Sequence, residues 1–235
     1  MRVTLLALLC AVLVGAVVAV PVTAADDPPA ITKKDIQISQ NNLKQIALAF
    51  HNYASTYNEK LPGDILDKNG KPLLSWRVAI LPFVEEQPLY NKFKLDEPWD
   101  SENNKALIEK MPKLYAPLRV KAKAGETFYQ TFTGEGTLFV RHAPVYKISN
   151  IPDGTSNTGL VFEAGEPVIW SKPADMVFDE KKALPKLGGL FDGECNVAMC
   201  DGSVIRMKKD PDEKILRYLI MPADGNVLDV DKLKK

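Results

Sequence analysis

The chain has 235 residues, 46% of them hydrophobic and 26% charged, and its 30 Lys and Arg are matched by 30 Asp and Glu. That is ordinary globular composition, and it argues against a nucleic-acid binder, which would carry a basic excess to displace counterions. The lysine clusters Lys181-Lys182, Lys208-Lys209 and the Lys232, Lys234, Lys235 tail read as solvated surface.

In chain order, Met1-Arg2 supplies a positive charge before an uncharged run, Val3 to Val20, rich in Leu, Val and Ala. Pro21 breaks the run and Val22-Thr23-Ala24-Ala25 offers small residues for cleavage, the layout of a secretory signal peptide over 1–25. The run also reaches the lower bound of roughly 17–18 residues for crossing a bilayer, so an uncleaved anchor is the competing expectation. In both cases the rest of the chain is expected outside the cytoplasm, periplasmic or extracellular, with membrane contact only through a retained N-terminal segment.

Residues 26–38, opening Asp26-Asp27-Pro28-Pro29, read as a linker, and 39–235 as a single domain. Leu43, Ile46, Ala47, Phe50, Ala54 and Tyr57 recur at steps of three and four, which predicts a helix with Ser39 as N-cap, ended by Leu61-Pro62-Gly63-Asp64. His51 and the aromatics of this stretch are expected on or beside its packing face. Short helices should follow: one capped by Ser75 and limited by Pro82, one at Pro88 to Phe93, one from Ser101 to Lys110 capped by Asp100. Trp76 and Trp99 are expected in the core or half-buried.

From Glu126 the period shortens. Thr127–Thr133 and Thr137–Arg141 predict a hairpin around Gly134-Glu135-Gly136, and Leu160–Ala164 and Val168–Trp170 two further strands. Asp201-Gly202 lies between two apolar runs, which predicts a two-residue type I′ hairpin loop that pairs Cys200 with Ser203 and Ala198 with Ile205. Both faces of that hairpin are apolar, so it should be covered on both sides. Along one strand Cys195 and Cys200 would stand about 16 Å apart on opposite faces, too far for the roughly 7 Å limit of a disulfide. Two buried free thiols are expected. Pro211–Ile220 predicts a closing helix with Ile215, Leu216, Leu219 and Ile220 inward.

The chemistry is sparse. Beyond the leader there are two histidines, His51 and His142, with no paired-Cys or His-x-x-x-His spacing, which disfavours zinc. Gly154-Thr155-Ser156-Asn157-Thr158 misses the final glycine of a nucleophile elbow, and no phosphate-binding glycine loop appears. No catalytic residue, cofactor or metal is expected; two carboxylates facing across a cleft would reopen the question as a glycosidase. Asp224 to Asp231 reads as a solvated turn. Asp153, Thr155, Ser156 and Asn157 form a possible ligand loop, a self-bonded turn being the bland alternative.

Six motifs stand in order: Asn41-Asn42-Leu43-Lys44-Gln45, Ser75-Trp76-Arg77-Val78, Leu95-Asp96-Glu97-Pro98-Trp99-Asp100, Asp153-Gly154-Thr155-Ser156-Asn157-Thr158, Trp170-Ser171-Lys172-Pro173 and Ala198-Met199-Cys200-Asp201-Gly202-Ser203-Val204. Together they resemble the bacterial family called domain of unknown function 1559. The resemblance implies a pseudopilin-like protein: a prepilin-type leader, a long N-terminal helix and a C-terminal β-region. The chain departs from that pattern. Gly followed by Phe-Thr-Leu-x-Glu is absent between Met1 and Ala30, and Pro21, Pro28 and Pro29 separate the apolar run from the helix, so joining a fibre through one continuous helix is not expected. The family also tends to place a histidine nine residues before the Asp-Gly turn, where this chain has Phe191.

The fold expected is therefore α+β, an N-terminal amphipathic helix packed on an antiparallel sheet, pilin-like, with short additional helices. The function expected is an exported, non-catalytic domain in envelope structure or protein contacts, with envelope or extracellular proteins as partners. The alternative is an extracytoplasmic ligand- or carbohydrate-binding module using the Asp153 loop and exposed aromatics such as Tyr129 or Trp170.

Overall fold

The computed structural model describes residues 29–120 and 122–235; the leader and the first residues of the linker lie outside the described residues. Helix α1 (Lys33–Thr56) opens the fold and buries Leu43, Ile46, Ala47, Phe50 and Ala54 along one face. It starts inside the segment expected as linker, because Thr32 and not Ser39 is the N-cap. Thr32 Oγ1 accepts from the Asp35 N–H at 3.1 Å and the Asp35 carboxylate accepts from the Thr32 N–H at 3.0 Å. This capping box satisfies two orphan donors where Ser39 alone would satisfy one. Ser39 is instead buried within the helix.

A two-stranded ribbon, β1 (Ile65–Leu66) with β2 (Pro72–Leu74), leads into α2 (Trp76–Ala79), capped by Ser75 as its sequence predicts. Pro82 does not stop the chain there: it sits inside a 3-10 turn at Leu81–Phe83, followed by α3 (Gln87–Tyr90). Ser101, and not Asp100, caps α4 (Glu102–Lys105) through the Asn104 N–H. Trp76 is buried and Trp99 half-buried.

Strands β3 (Glu126–Gln130) and β4 (Phe132–Thr133) replace the expected single strand. The break falls at Thr131, whose N–H leaves the ladder to donate to Asp175 at 2.8 Å. The expected hairpin around Gly134 to Gly136 does not form either, since β5 (Phe139–Val140) runs parallel to β4. A tight loop closed by Gly134 N–H to the Phe139 carbonyl turns the chain between them. Strand β5 then pairs antiparallel with β6 (Ala143–Pro144).

The two strands expected at Leu160 and Val168 are one, β7 (Gly159–Ile169). The Gly165-Glu166-Pro167 break survives as a register shift against β3. After β8 (Met176–Val177) come β9 (Cys195–Met199), β10 (Val204–Met207) and α5 (Glu213–Ile220). The main sheet runs β10-β9-β7-β3, antiparallel throughout, and a smaller mixed sheet runs β6-β5-β4-β8.

The hairpin between β9 and β10 is displaced by one residue from the expected register: Val204 pairs with Ala198 and Ile205 with Val197. The loop is Cys200-Asp201-Gly202, with Gly202 N–H bonded to the Met199 carbonyl and Met199 N–H to the Ser203 carbonyl. Only Gly202 is left-handed, at φ +86°. This is the three-residue loop, a type I turn closed by a glycine bulge, and not type I′. Cys200 and Asp201 donate their N–H groups to the Thr158 and Thr155 carbonyls, and these tertiary bonds draw Cys200 into the loop.

Both faces of the main sheet are covered. Val161, Ala198 and Cys200 meet α1 in one cluster; Phe162, Val197, Met199 and Cys195 meet Leu216, Leu219 and Ile220 of α5 in the other. Alternation along β9 places the two cysteines on opposite faces, and both are free and buried.

Candidate functional site

The four residues of the expected ligand loop are largely turned to internal use. The Asp153 carboxylate accepts from the Asp224 N–H at 2.8 Å and the Gly225 N–H at 3.2 Å. Asn157 Nδ2 donates to the Asp153 carbonyl at 2.8 Å, and Thr155 accepts from Asp201 through its backbone. Ser156 alone is exposed. The loop joins the Asp201 turn to residues 222–225. Asp229 and Asp231 pair with Lys232 and Lys234, and among the described residues no group of three or more His, Cys, Asp or Glu could hold a metal ion.

The aromatics expected at the surface are in the core. Tyr129 and Trp170 are 1% and 0% exposed. Trp170 stacks on Tyr115 at 5.9 Å and donates Nε1 to the Ile108 carbonyl at 3.0 Å. Phe191 lies with Phe128 and Leu190 in a small apolar cluster, and the Arg206 guanidinium sits 5.0 Å from its ring centre. At this position the chain has a packed ring in place of an ionisable group.

Three constellations that sequence reasoning did not assemble now stand out. In the first, Arg77 is fully buried and its Nη2 meets Asp175 Oδ1 at 2.7 Å. Its Nε donates to the Tyr129 carbonyl and Nη1 to Ser75 Oγ. Asp175 Oδ1 also accepts from Trp76 Nε1 and the Thr131 N–H. Burial pushes the Asp175 carboxyl up from its ordinary value while Arg77 pulls it down. This pair ties α2 to β3 and to the segment before β8.

In the second, Asp64 lies beside it. Its Oδ1 accepts from the Trp76 N–H and its Oδ2 meets His142 Nδ1, each at 2.8 Å. Arg141 and His142, at φ +50° and +70°, form the two-residue turn between β5 and β6. A non-glycine residue in that region costs on the order of 1–3 kcal/mol. Asp64 N–H donates to the His142 carbonyl at 2.9 Å. Gly63 approaches so closely that a Cβ there would stand 2.8 Å from the same oxygen. Asp64 raises the His142 pKa through this bond, against partial burial.

In the third, Glu163 is fully buried on the α1 side of the sheet, with no ion-pair partner among the described residues. It accepts from Ser39 Oγ, from the Asn196 N–H at 2.6 Å and from Asn196 Nδ2. Tyr129 on β3, bonded to Ser39 and accepting from Asn42 Nδ2 of α1, extends this network. Burial pushes the Glu163 carboxyl up to about 7, against the pull of these donors.

The surface adjoining Asp64 carries exposed Tyr57 with half-buried Tyr53, Phe83 and Tyr90. Tyr53 lies 4.4 Å from Tyr57 and 5.7 Å from Phe83, between ring centres. With Gln87, Tyr90 and Leu95 they border an open groove of about 560 Å³. Burial raises the hydroxyl pKa of Tyr53 and Tyr90. A carboxylate inside the apolar run Leu160–Ala164 and an arginine inside Trp76–Leu81 were the signals available in the sequence, since neither charge is buried without a partner. Asp64 and Asp175 are close, but their side chains are only 4% and 2% exposed, so they do not face one another across an open cleft.

No curated protein and no solved structure matches the chain. A family model described as Protein of unknown function (DUF1559) matches residues 38–143, a shorter span than that over which the six motifs run. The matched stretch holds most of α1, Arg77, both members of the Asp64–His142 pair and the aromatic groove, and over it the chain is similar to the DUF1559 family.

Proposed function

We propose that the protein is an exported, non-catalytic, pilin-like domain that works in envelope structure or through contacts with envelope or extracellular proteins. One observation carries this reading: Ser75, Arg77, Asp153 and Asn157 of the family-like motifs bond within the fold and not toward a cleft. Ser75 caps α2 and receives Arg77; the Asp153 loop fastens two other loops; Trp170 is packed against Tyr115. A chemistry-bearing site would direct some of these groups outward. The long first helix laid over an antiparallel sheet is the pilin-like element, and the leader pattern is the argument for export. Mass spectrometry of the native N-terminus, combined with fractionation, tests it. A mature chain starting at Ala25 or Asp26 outside the cytoplasm is the expected result; an intact Met1 in the cytoplasmic fraction overturns the reading.

A second reading, a ligand- or carbohydrate-binding module, moves from Tyr129 and Trp170 to the groove of Tyr53, Tyr57, Phe83 and Tyr90. It is favoured by Tyr57, which is 51% exposed and offers a ring face beside a polar handle. A screen of oligosaccharides by chemical-shift perturbation, repeated with Tyr57→Ala, tests it: shifts confined to the groove and lost in the variant support it, and no response to any sugar removes it.

A further inference from the structure

Two features of the Arg141–His142 turn call for a common explanation. The turn is held in a left-handed conformation at two successive non-glycine residues, and it touches a carboxylate that is itself held in place. Asp64 is fastened by the Trp76 N–H on one oxygen and offers the other to His142 at 2.8 Å, while its own N–H holds the His142 carbonyl. The His142 side chain is 35% exposed and Asp64 4%, so the imidazole is open to proton exchange with solvent while its partner is buried.

We propose that the Arg141–His142 turn is a pH-operated latch, closed when protonated His142 pairs with Asp64 and loosened when that proton leaves. The charged groups acting on the imidazole are Asp64 and, further off, Asp175; Arg77 faces Asp175 and offsets part of its charge, and Arg141 stands beside His142 in the turn. The two carboxylates favour the imidazolium and partial burial opposes it, with the carboxylates prevailing. The neutral ring retains at most an N–H to carboxylate bond and loses the attraction between opposite charges. The strained backbone then has less to hold it.

The sign follows from the direction of the shift. A histidine whose folded pKa is raised contributes its full stabilisation below the ordinary imidazole range, and loses it as pH rises through the raised value. The latch is therefore closed below the ordinary imidazole range and opens as pH rises through the raised value. What it covers is a cleft of about 290 Å³ whose lining includes Tyr53, Lys60, Asp64, Ala143 and Pro144. Opening the turn widens that cleft and carries β6 away from Gly63.

Amide hydrogen exchange of residues 140–145 across pH 5 to 9, corrected for intrinsic exchange chemistry, reads the latch directly. In the wild type, protection should fall along the titration curve of His142 followed by NMR, by about tenfold for each unit of pKa shift. His142→Asn accepts a left-handed backbone but does not titrate, and should hold one pH-independent level of protection. Asp64→Asn should return the His142 titration to the ordinary range. Far-UV circular dichroism at each pH confirms that each chain is folded. Wild-type protection that is flat with pH, or an unchanged transition in His142→Asn, overturns the proposal.

Discussion

Asp175 and Glu163 are both carboxylates buried out of reach of water, yet the fold treats them differently. Asp175 meets a guanidinium, and Glu163 meets a hydroxyl, an amide and a backbone N–H. Arg77 compensates the charge of Asp175, so that centre is an ion pair whose worth lies in both members being present. Around Glu163 the donors are neutral; they lower its pKa but do not overcome burial, and the carboxyl titrates at about 7. The difference teaches that hydrogen bonds can position a buried carboxylate without making it comfortable when charged. Burial raises both carboxyls, but a full opposite charge resists the rise at Asp175, where mainly neutral donors resist it at Glu163.

The comparison can be broken most severely at the ion pair. Asp175→Ala leaves Arg77 buried without its partner and should cost about 3–5 kcal/mol in urea unfolding. A loss below about 1 kcal/mol would mean that Arg77 finds water or another acceptor and that the pair does not hold α2. Glu163 gives the next largest effect, and it depends on pH. Its folded value of about 7 lies above the ordinary 4.5, so its contribution is complete below the lower value and fades as pH rises through the upper one. By pH 9 the wild type should have lost about 3 kcal/mol from this group relative to acid conditions. Glu163→Gln should remove that slope, and equal pH dependence in the two chains would show that Glu163 is not the titrating group.

Ser39→Ala sharpens the contrast by removing one neutral donor. It should cost about 1–2 kcal/mol and move the Glu163 titration further upward, which backbone and carboxyl NMR shifts would follow. The smallest change belongs to the exposed Lys94–Glu97 pair, whose side chains are 56% and 35% exposed. Lys94→Ala should leave the unfolding midpoint where it is, because screened surface pairs contribute little; a measurable drop would mean that the calibration of the other three is wrong.

Much of this architecture is legible along the chain. The three-and-four spacing of Leu43 to Ala54 marks the buried face of α1, Ser75 marks the start of α2, and the alternation from Cys195 to Cys200 sorts the two thiols onto opposite faces. The errors are equally local in origin. Ser39 resembles a cap because it is a serine before an amphipathic run, but Thr32 has Asp35 three residues on and so closes a reciprocal box. Asp201-Gly202 resembles a two-residue turn until the Thr155 and Thr158 carbonyls claim the N–H groups next to it. The groove was missed because Tyr53 and Tyr57 share a helix face with residues that are buried, and only the position of Phe83 shows where that face leaves the core.

What residue order determined by itself was the set of elements that periodicity and capping decide within a turn or two of chain: a long amphipathic helix, short capped helices and a two-sided hairpin. Tertiary structure alone decided which polar groups meet, since Ser39 and Glu163 are 124 positions apart, Arg77 and Asp175 98, and Asp64 and His142 78. The reason is one of range. Helix and turn preferences act between near neighbours, whereas the partner of a buried charge is selected by whatever the folded chain brings within hydrogen-bond distance.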